Sequence, residues 1–274
     1  MPRVPGLNTD VQALTEDVVG AFQRNGLSNF ASAIAFRVVL ALVPFLLFLL
    51  AALGFLHLEE VWKSDVAPEI KKNASDVAFK LIDDTVTQVL GQKQLWWLTI
   101  GLVVTLWELS AATRVTMSAL DRVYGFHRRR SLLELLPRSL ALGAVMGLCV
   151  VAAIAAVRFG PLLTGDVHGV LAALSFMVRW LLAAAVLGVG IGLTVRYGAA
   201  TRQPVPWVSF GTGLVLVSWV LTSIAFGLYA TYVASYTSVF GHLASVFVLL
   251  LYLWLSANAF LVGIQLDACV RKKA

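Results

Sequence analysis

"LASVFVLLLYLWLSANAFLVGI", residues 243–264, runs from end to end without a charged side chain. Its length matches the roughly 20 residues that an α-helix, rising about 1.5 Å per residue, needs to cross a hydrocarbon layer. In that layer an unpaired peptide N–H or C=O costs several kcal/mol, and a helix pairs its own. The stretch therefore predicts a transmembrane helix.

Five further apolar runs lie upstream, at about 31–56, 95–117, 139–157, 170–195 and 207–229. Hydrophobic residues make up 59% of the 274 and charged residues 13%, with a mean hydropathy of +0.84. A soluble domain carries about 25% charged residues, so that class is excluded. The expected fold class is all-α: a polytopic membrane protein with six transmembrane helices and interfacial amphipathic helices, forming a single membrane domain over 1–274. The N-terminus lacks a basic segment, apolar core and small-residue cleavage site, so the first span is expected to act as its own uncleaved signal.

Lysine and arginine cross membranes poorly, and their distribution sets orientation. With both termini inside, the cytoplasmic side holds Arg3, Arg24, Arg114, Arg122, Arg128, Arg129, Arg130, Arg138, Arg196, Arg202, Arg271, Lys272 and Lys273. The other side holds Lys63, Lys71, Lys72, Lys80, Lys93 and Arg158. That imbalance predicts an inner-membrane protein with both termini cytoplasmic and 58–94 as the one sizeable external loop.

Within that loop Val77, Leu81, Ile82, Val86, Val89 and Leu90 recur at near-helical spacing, which predicts an amphipathic helix. Val11, Leu14, Val18 and Phe22 recur at three and four ahead of the first span, with Asn8 or Thr9 placed to cap. That segment reads either as an interfacial helix or as one packed on the rest of the protein. Gly143-x-x-x-Gly147 and Gly188-x-x-x-Gly192 place small residues on one helix face, allowing close backbone approach. Pro44 inside the first span removes a helix hydrogen bond, so a kink or broken turn is expected there.

A charge near the middle of a bilayer costs at least about 2.5 kcal/mol and normally faces the bundle interior with a partner. Three such charges occur, Arg37, Glu108 and Arg179. Arg114 lies six residues beyond Glu108, which turns it to another side of the helix. Counted from the cytoplasmic ends, Arg37 and Glu108 lie at similar depths, roughly 9 and 12 Å at about 1.5 Å per residue. They can meet, and Arg179 is the alternative partner or a separate cation. Asn258 and Gln265, seven apart on the last span, share a face and suit hydrogen bonds between helices. These five residues form the candidate polar centre, either a lock between helices or a pathway.

The basic stretch around Arg122, Arg128, Arg129 and Arg130 fits topology and anionic lipid headgroups better than nucleic acid, which calls for aromatics interleaved with charges on a folded surface. His57, His127, His168 and His242 stand apart at no ligand spacing. No phosphate-binding loop, nucleophile elbow or zinc-protease motif occurs. Cys149 and Cys269 read as packing residues. The expectation is no catalytic residues, no metal and no cofactor.

The tail "YTSVFGHLASVFVLLLYLWLSANAFLVGIQLDACVRKK" (236–273), together with "SNFASAIAFRVVLALVPFLLFLLA" (28–51), "LWELSAATRVTMSALDRVYGFHRRR" (106–130) and "QPVPWVSFGTGLVLVSWVL" (203–221), resembles the YihY/BrkB family of bacterial inner-membrane proteins, described as virulence-factor or envelope-integrity proteins. The resemblance covers nearly the whole chain in order. It implies six spans, and its motif residues carry over to Pro44, Trp107, Arg114, Tyr124, Gly241, Trp254, Ser256, Gln265 and Asp267. The family pattern has Tyr-type residues near Arg37 and small or Ser residues near Glu108. Those two departures of opposite charge are what a compensating pair looks like. A ribonuclease label borne by some members finds no cluster of carboxylates or histidines here to support it.

Two functions follow as expectations. The first is transport or flipping of a lipid or other anionic envelope component through a polar bundle interior, with the bilayer and anionic headgroups as partners. The second is a non-transporting scaffold or accessory protein of the envelope. A polar cavity reaching Arg37, Glu108 or Arg179 from one side favours the first, and a dry, tightly packed interior sinks it.

Overall fold

A computed structural model describes residues 11–55, 62–68, 71, 79–80, 83–84, 86–88, 95–126, 131–164, 170–200, 210–233 and 237–273. Every long element among them is an α-helix: α1 Val11–Arg24, α2 Leu27–Phe55, α3 Leu95–Val123, α4 Leu132–Thr164, α5 Val170–Gly198, α6 Phe210–Val233 and α7 Thr237–Lys273. A short π-helical turn, Trp62–Val66, lies between α2 and α3. The all-α class is as the hydropathy demands.

Five stretches are long and apolar enough to cross a membrane: Leu27–Ala52, Leu98–Val123, Leu132–Val157, Leu174–Gly198 and Phe247–Val270. The span expected at 207–229 coincides with α6, where Val215–Leu228 is a shorter apolar helix. Among the described residues, then, the count of full-length spans is one fewer than the six expected. Positions 207–209 of that span lie outside them. α2 runs through Pro44 to Phe55 as one helix, so the missing N–H of proline does not break a turn.

The chain divides into two compact units, Met1–Val38 with Leu109–Ala274, and Val39–Glu108. In the first, Leu27 and Ala31 of α2, Ala119, Leu120 and Val123 of α3, Ala199, Val215 of α6, and Leu261, Ile264 and Ala268 of α7 form one buried cluster. α4 packs on α5, α5 on α6, α6 on α7, and α1 on α7. Val18 of α1 is buried and Phe22 packs against the cluster. Val18 and Phe22 of α1 thus face the protein's own core. The proposed caps Asn8 and Thr9 lie outside the described residues.

Two turns show why these helices end where they do. At the end of α3, Gly125 takes φ +77°, the Phe126 N–H bonds the Asp121 carbonyl at 2.7 Å and the Gly125 N–H bonds that of Arg122 at 3.2 Å. This left-handed closure satisfies terminal carbonyls and suits glycine, which has no Cβ to clash. α4 then starts at a serine: Ser131 Oγ accepts the Leu133 N–H at 3.2 Å, with Glu134 in the first turn.

Close approach is built into α4. A methyl group on Gly143 would lie 3.0 Å from the Leu109 carbonyl carbon and 3.1 Å from the Ser110 nitrogen, both backbone atoms of α3. Of the two expected small-residue motifs, Gly143-x-x-x-Gly147 therefore makes a contact at both positions, with Gly147 against the Leu109 side chain. Gly192 of the other motif faces open space.

In the second unit, Gly101 lies against the backbone of Phe48, and the buried Thr105 hydroxyl donates to the Gly101 carbonyl at 2.6 Å. Trp62 is buried with Ala67 and Val86, and its Nε1 donates to Asp83 Oδ1 at 2.9 Å. Val86 is thus an inward position of the loop, while Val77, Leu81, Ile82, Val89 and Leu90 lie outside the described residues.

α5 presents Leu174, Phe176, Met177, Val178, Trp180, Leu181 and Leu182 with more than half of each surface uncovered, and α6 does likewise with Val217, Leu221, Ile224 and Leu228. Patches of this kind are an aggregation hazard in water, whereas hydrocarbon is as apolar as they are. The outward faces of the bundle are built for lipid.

Candidate functional site

The first unit encloses a pocket of about 510 Å³ to which six helices contribute: Ala35 and Val38 from α2, Leu109, Thr113 and Thr116 from α3, Met146 and Ala153 from α4, Ile191 and Thr194 from α5, Val215 and Trp219 from α6, and Leu253, Ser256 and Phe260 from α7. Its volume falls in the range of roughly 300–1,000 Å³ typical of ligand sites. Ile154, 55% exposed, stands at its rim. The wall is almost wholly aliphatic and aromatic, interrupted by hydroxyls.

Those hydroxyls divide into two kinds. Thr113, Thr116 and Thr194 donate to the carbonyls of Leu109, Ala112 and Gly190, one turn back in their own helices, at 2.8, 3.0 and 2.8 Å. This is the ordinary solution for a hydroxyl in an apolar helix. Ser256 differs. Its Oγ is buried and has no hydrogen-bond partner among the described residues. A buried polar group in that condition costs about 1–3 kcal/mol and calls for an explanation at the site.

Arg37, Glu108, Arg179, Asn258 and Gln265 are not among the residues lining the pocket. Arg37 is half-buried in the first unit, and Glu108, also half-buried, is the last residue of the second. Arg179 Nε donates to the Ser175 carbonyl at 3.1 Å in its own helix, between the exposed Phe176 and Trp180. Asn258 likewise turns its amide back to the Trp254 carbonyl at 2.8 Å. Gln265 does join two elements: its buried side chain accepts from Asn25 Nδ2 at 3.1 Å, fastening the α1–α2 turn to α7, and its amide donates to Cys269 Sγ at 3.4 Å.

The motif positions are distributed over the bundle. Trp254 Nε1 donates to Ser32 Oγ at 3.1 Å, joining α7 to α2. Tyr124 packs against the core cluster, Asp267 is buried on α7, and Trp107 is exposed. Pro44 is half-buried, and Gly241 lies within α7. Arg122 is exposed, while Arg128, Arg129 and Arg130 lie outside the described residues. Cys149 and Cys269 are free thiols. Among the described residues no three His, Cys, Asp or Glu side chains gather as metal ligands.

Arg114 heads a polar chain. Its Nη1 donates to Ser110 Oγ at 2.6 Å, Ser110 and Ser139 share a hydrogen bond of 2.7 Å, and Ser139 Oγ lies 3.0 Å from the Leu136 carbonyl as donor. Asp121, buried on the next turns, accepts the Ala200 N–H at 2.8 Å and so clasps the end of α5. Sequence reading passed over Ser110, Ser139 and Asp121. Ser110 and Arg114, four apart, share one side of α3, a signal the sequence offered, whereas the partners Ser139 and Ala200 lie on other helices and no spacing announces them.

The family model described as Virulence factor BrkB matches residues 18–274. A ribonuclease-like protein, YfkH, from Bacillus subtilis (strain 168) is 22% identical over 249 residues, which span 89% of this chain and 90% of that relative. No solved structure matches the chain.

Proposed function

The chain belongs to the virulence factor BrkB family, and we propose that this integral membrane protein takes a lipid hydrocarbon chain into the pocket of its bundle and thereby moves or holds a lipid of the bacterial inner membrane. The observation that carries this reading is the hydroxyl of Ser256, buried without a partner among the described residues in a wall whose other hydroxyls bond their own helices. Apolar cavities stay dry and accept apolar guests. Ser256 lines the pocket, and its hydroxyl, turned about the Cα–Cβ bond, suits a guest with a single acceptor, such as the ester carbonyl of an acyl chain. The charges at Arg37, Glu108 and Arg179 then serve insertion and helix placement, and the substrate path runs through the pocket.

Flux in proteoliposomes tests it. Purified protein reconstituted with a short-chain fluorescent phospholipid accelerates exchange between leaflets over protein-free vesicles, and Ala153→Phe, which fills the pocket, abolishes the acceleration. Equal flux with and without protein rules out transport.

A non-transporting scaffold is the second reading, supported by Arg179 and Asn258, which bond carbonyls of their own helices. On that reading the pocket holds a resident lipid and flux is absent, while loss of bound lipid still follows pocket filling. The ribonuclease-like name of the Bacillus protein supplies a competing activity, which RNA hydrolysis by the purified chain tests directly.

A further inference from the structure

A second cavity lies on the roughly opposite face of α3 from the pocket. It is a cleft of about 440 Å³ walled by Asn29, Phe30 and Ala33 in the first two turns of α2, Arg114 and Ser118 of α3, and Leu132 and Leu135 at the start of α4. We infer that this cleft binds the phosphate headgroup of an anionic phospholipid, with Arg114 as the headgroup ligand.

The chemistry follows from the arrangement. A guanidinium offers five N–H donors in a planar fork matched to phosphate oxygens. The Ser110 contact at 2.6 Å, with Ser110 held by Ser139 at 2.7 Å, fixes where the arginine head stands. The Asn29 amide adds a polar group at the same wall, and no carboxylate is among the described residues that line it. Glu134, exposed on the first turn of α4, is not part of that wall.

The remaining wall decides between a lipid and a free anion. Phe30, Ala33, Leu132 and Leu135 surround the cation with hydrocarbon, and Leu132 and Leu133 are 72% and 86% exposed at the helix start. A free phosphate gains nothing from such surroundings. A phospholipid places its acyl chains along them. Because Arg114 and Ser118 point away from Thr113 and Thr116, this site is independent of whatever occupies the bundle pocket.

The test uses the full chain, delipidated in detergent and titrated with phosphatidylglycerol or phosphatidylcholine, with bound lipid counted by native mass spectrometry. Arg114→Gln weakens phosphatidylglycerol binding about fivefold, the effect of one basic residue near an anionic surface. Ala33→Phe, which fills the cleft and leaves Arg114 in place, weakens it similarly. Arg24→Gln removes the same charge from the exposed end of α1 and leaves affinity unchanged; all of these variants are compared in the Ala153→Phe background, which takes the lipid of the bundle pocket out of the count. Arg114→Lys recovers part of the loss, which separates ligand chemistry from misfolding. Unchanged affinity in both Arg114→Gln and Ala33→Phe overturns the inference. So does an equal loss in Arg24→Gln, which makes the attraction unspecific, or full displacement by inorganic phosphate, which makes the cleft a free-anion site.

Discussion

Ser110 and Ser139 bring their hydroxyl oxygens to 2.7 Å in the fully buried interface of α3 and α4, one turn from the point where Gly143 meets the α3 backbone. The hydrogen bond and the missing side chain belong together. Only a close crossing lets two short hydroxyls touch, and only glycine at 143 lets the helices cross so closely. Arg114 is attached to that junction through Ser110.

Replacing Ser139 with Ala removes the shared hydrogen bond and leaves Ser110 still bound to Arg114. Such bonds in membrane proteins contribute about 0.6 kcal/mol on average. Thermal unfolding in detergent is expected to show a small loss for Ser139→Ala and a larger one for Ser110→Ala, which breaks both links at once. The opposite ranking argues against Ser110 as the hub.

Gly143→Ala sets a methyl group against backbone atoms at 3.0–3.1 Å, which no rotamer change relieves. Overpacking of this kind costs about 1–3 kcal/mol. Gly192→Ala meets open space and leaves stability unchanged or slightly raised. The pair of variants, compared by unfolding in the same detergent, separates crowding from any general effect of alanine in these helices.

Asp121→Ala leaves the part-buried Ala200 N–H without its acceptor, a loss of about 1 kcal/mol. Asp121→Asn keeps an acceptor oxygen at the same position and restores most of the stability. Proteolysis after residue 198 reports the same contact: the Ala variant is cut faster at the end of α5, and the Asn variant is not.

The membrane class and the places of the helices were legible in the sequence because hydrocarbon imposes one requirement, an apolar run long enough to satisfy its own backbone. The 243–264 run lies inside α7, and α1 appears where Val18 and Phe22 recur. The pocket was not legible. Its wall draws single residues from six helices, and no spacing within any one of them announces that Ser256 faces Thr113 and Thr194 across a common space. Charge singles out Arg37, Glu108 and Arg179 in the sequence, whereas the pocket is marked by a neutral hydroxyl. Gln265 was legible as a helix-joining amide, and its partner Asn25, 240 positions away, was not.

Gln265→Leu removes the acceptor that holds Asn25 and so loosens α1 and the following turn from α7. Hydrogen exchange across 11–26 is expected to accelerate while α4 and α5 keep their protection. Uniform acceleration over the whole chain contradicts a local clasp.

The central claim is that the bundle pocket holds a lipid chain, and the most direct measurement is the lipid that stays with the purified protein after exhaustive detergent exchange. Native mass spectrometry of the full chain is expected to show one tightly retained lipid, weakened by Ser256→Ala and absent from Ala153→Phe, with thermal unfolding confirming that both variants fold. Equal retention in wild type and a folded Ala153→Phe protein, or no retained lipid in wild type, contradicts the claim.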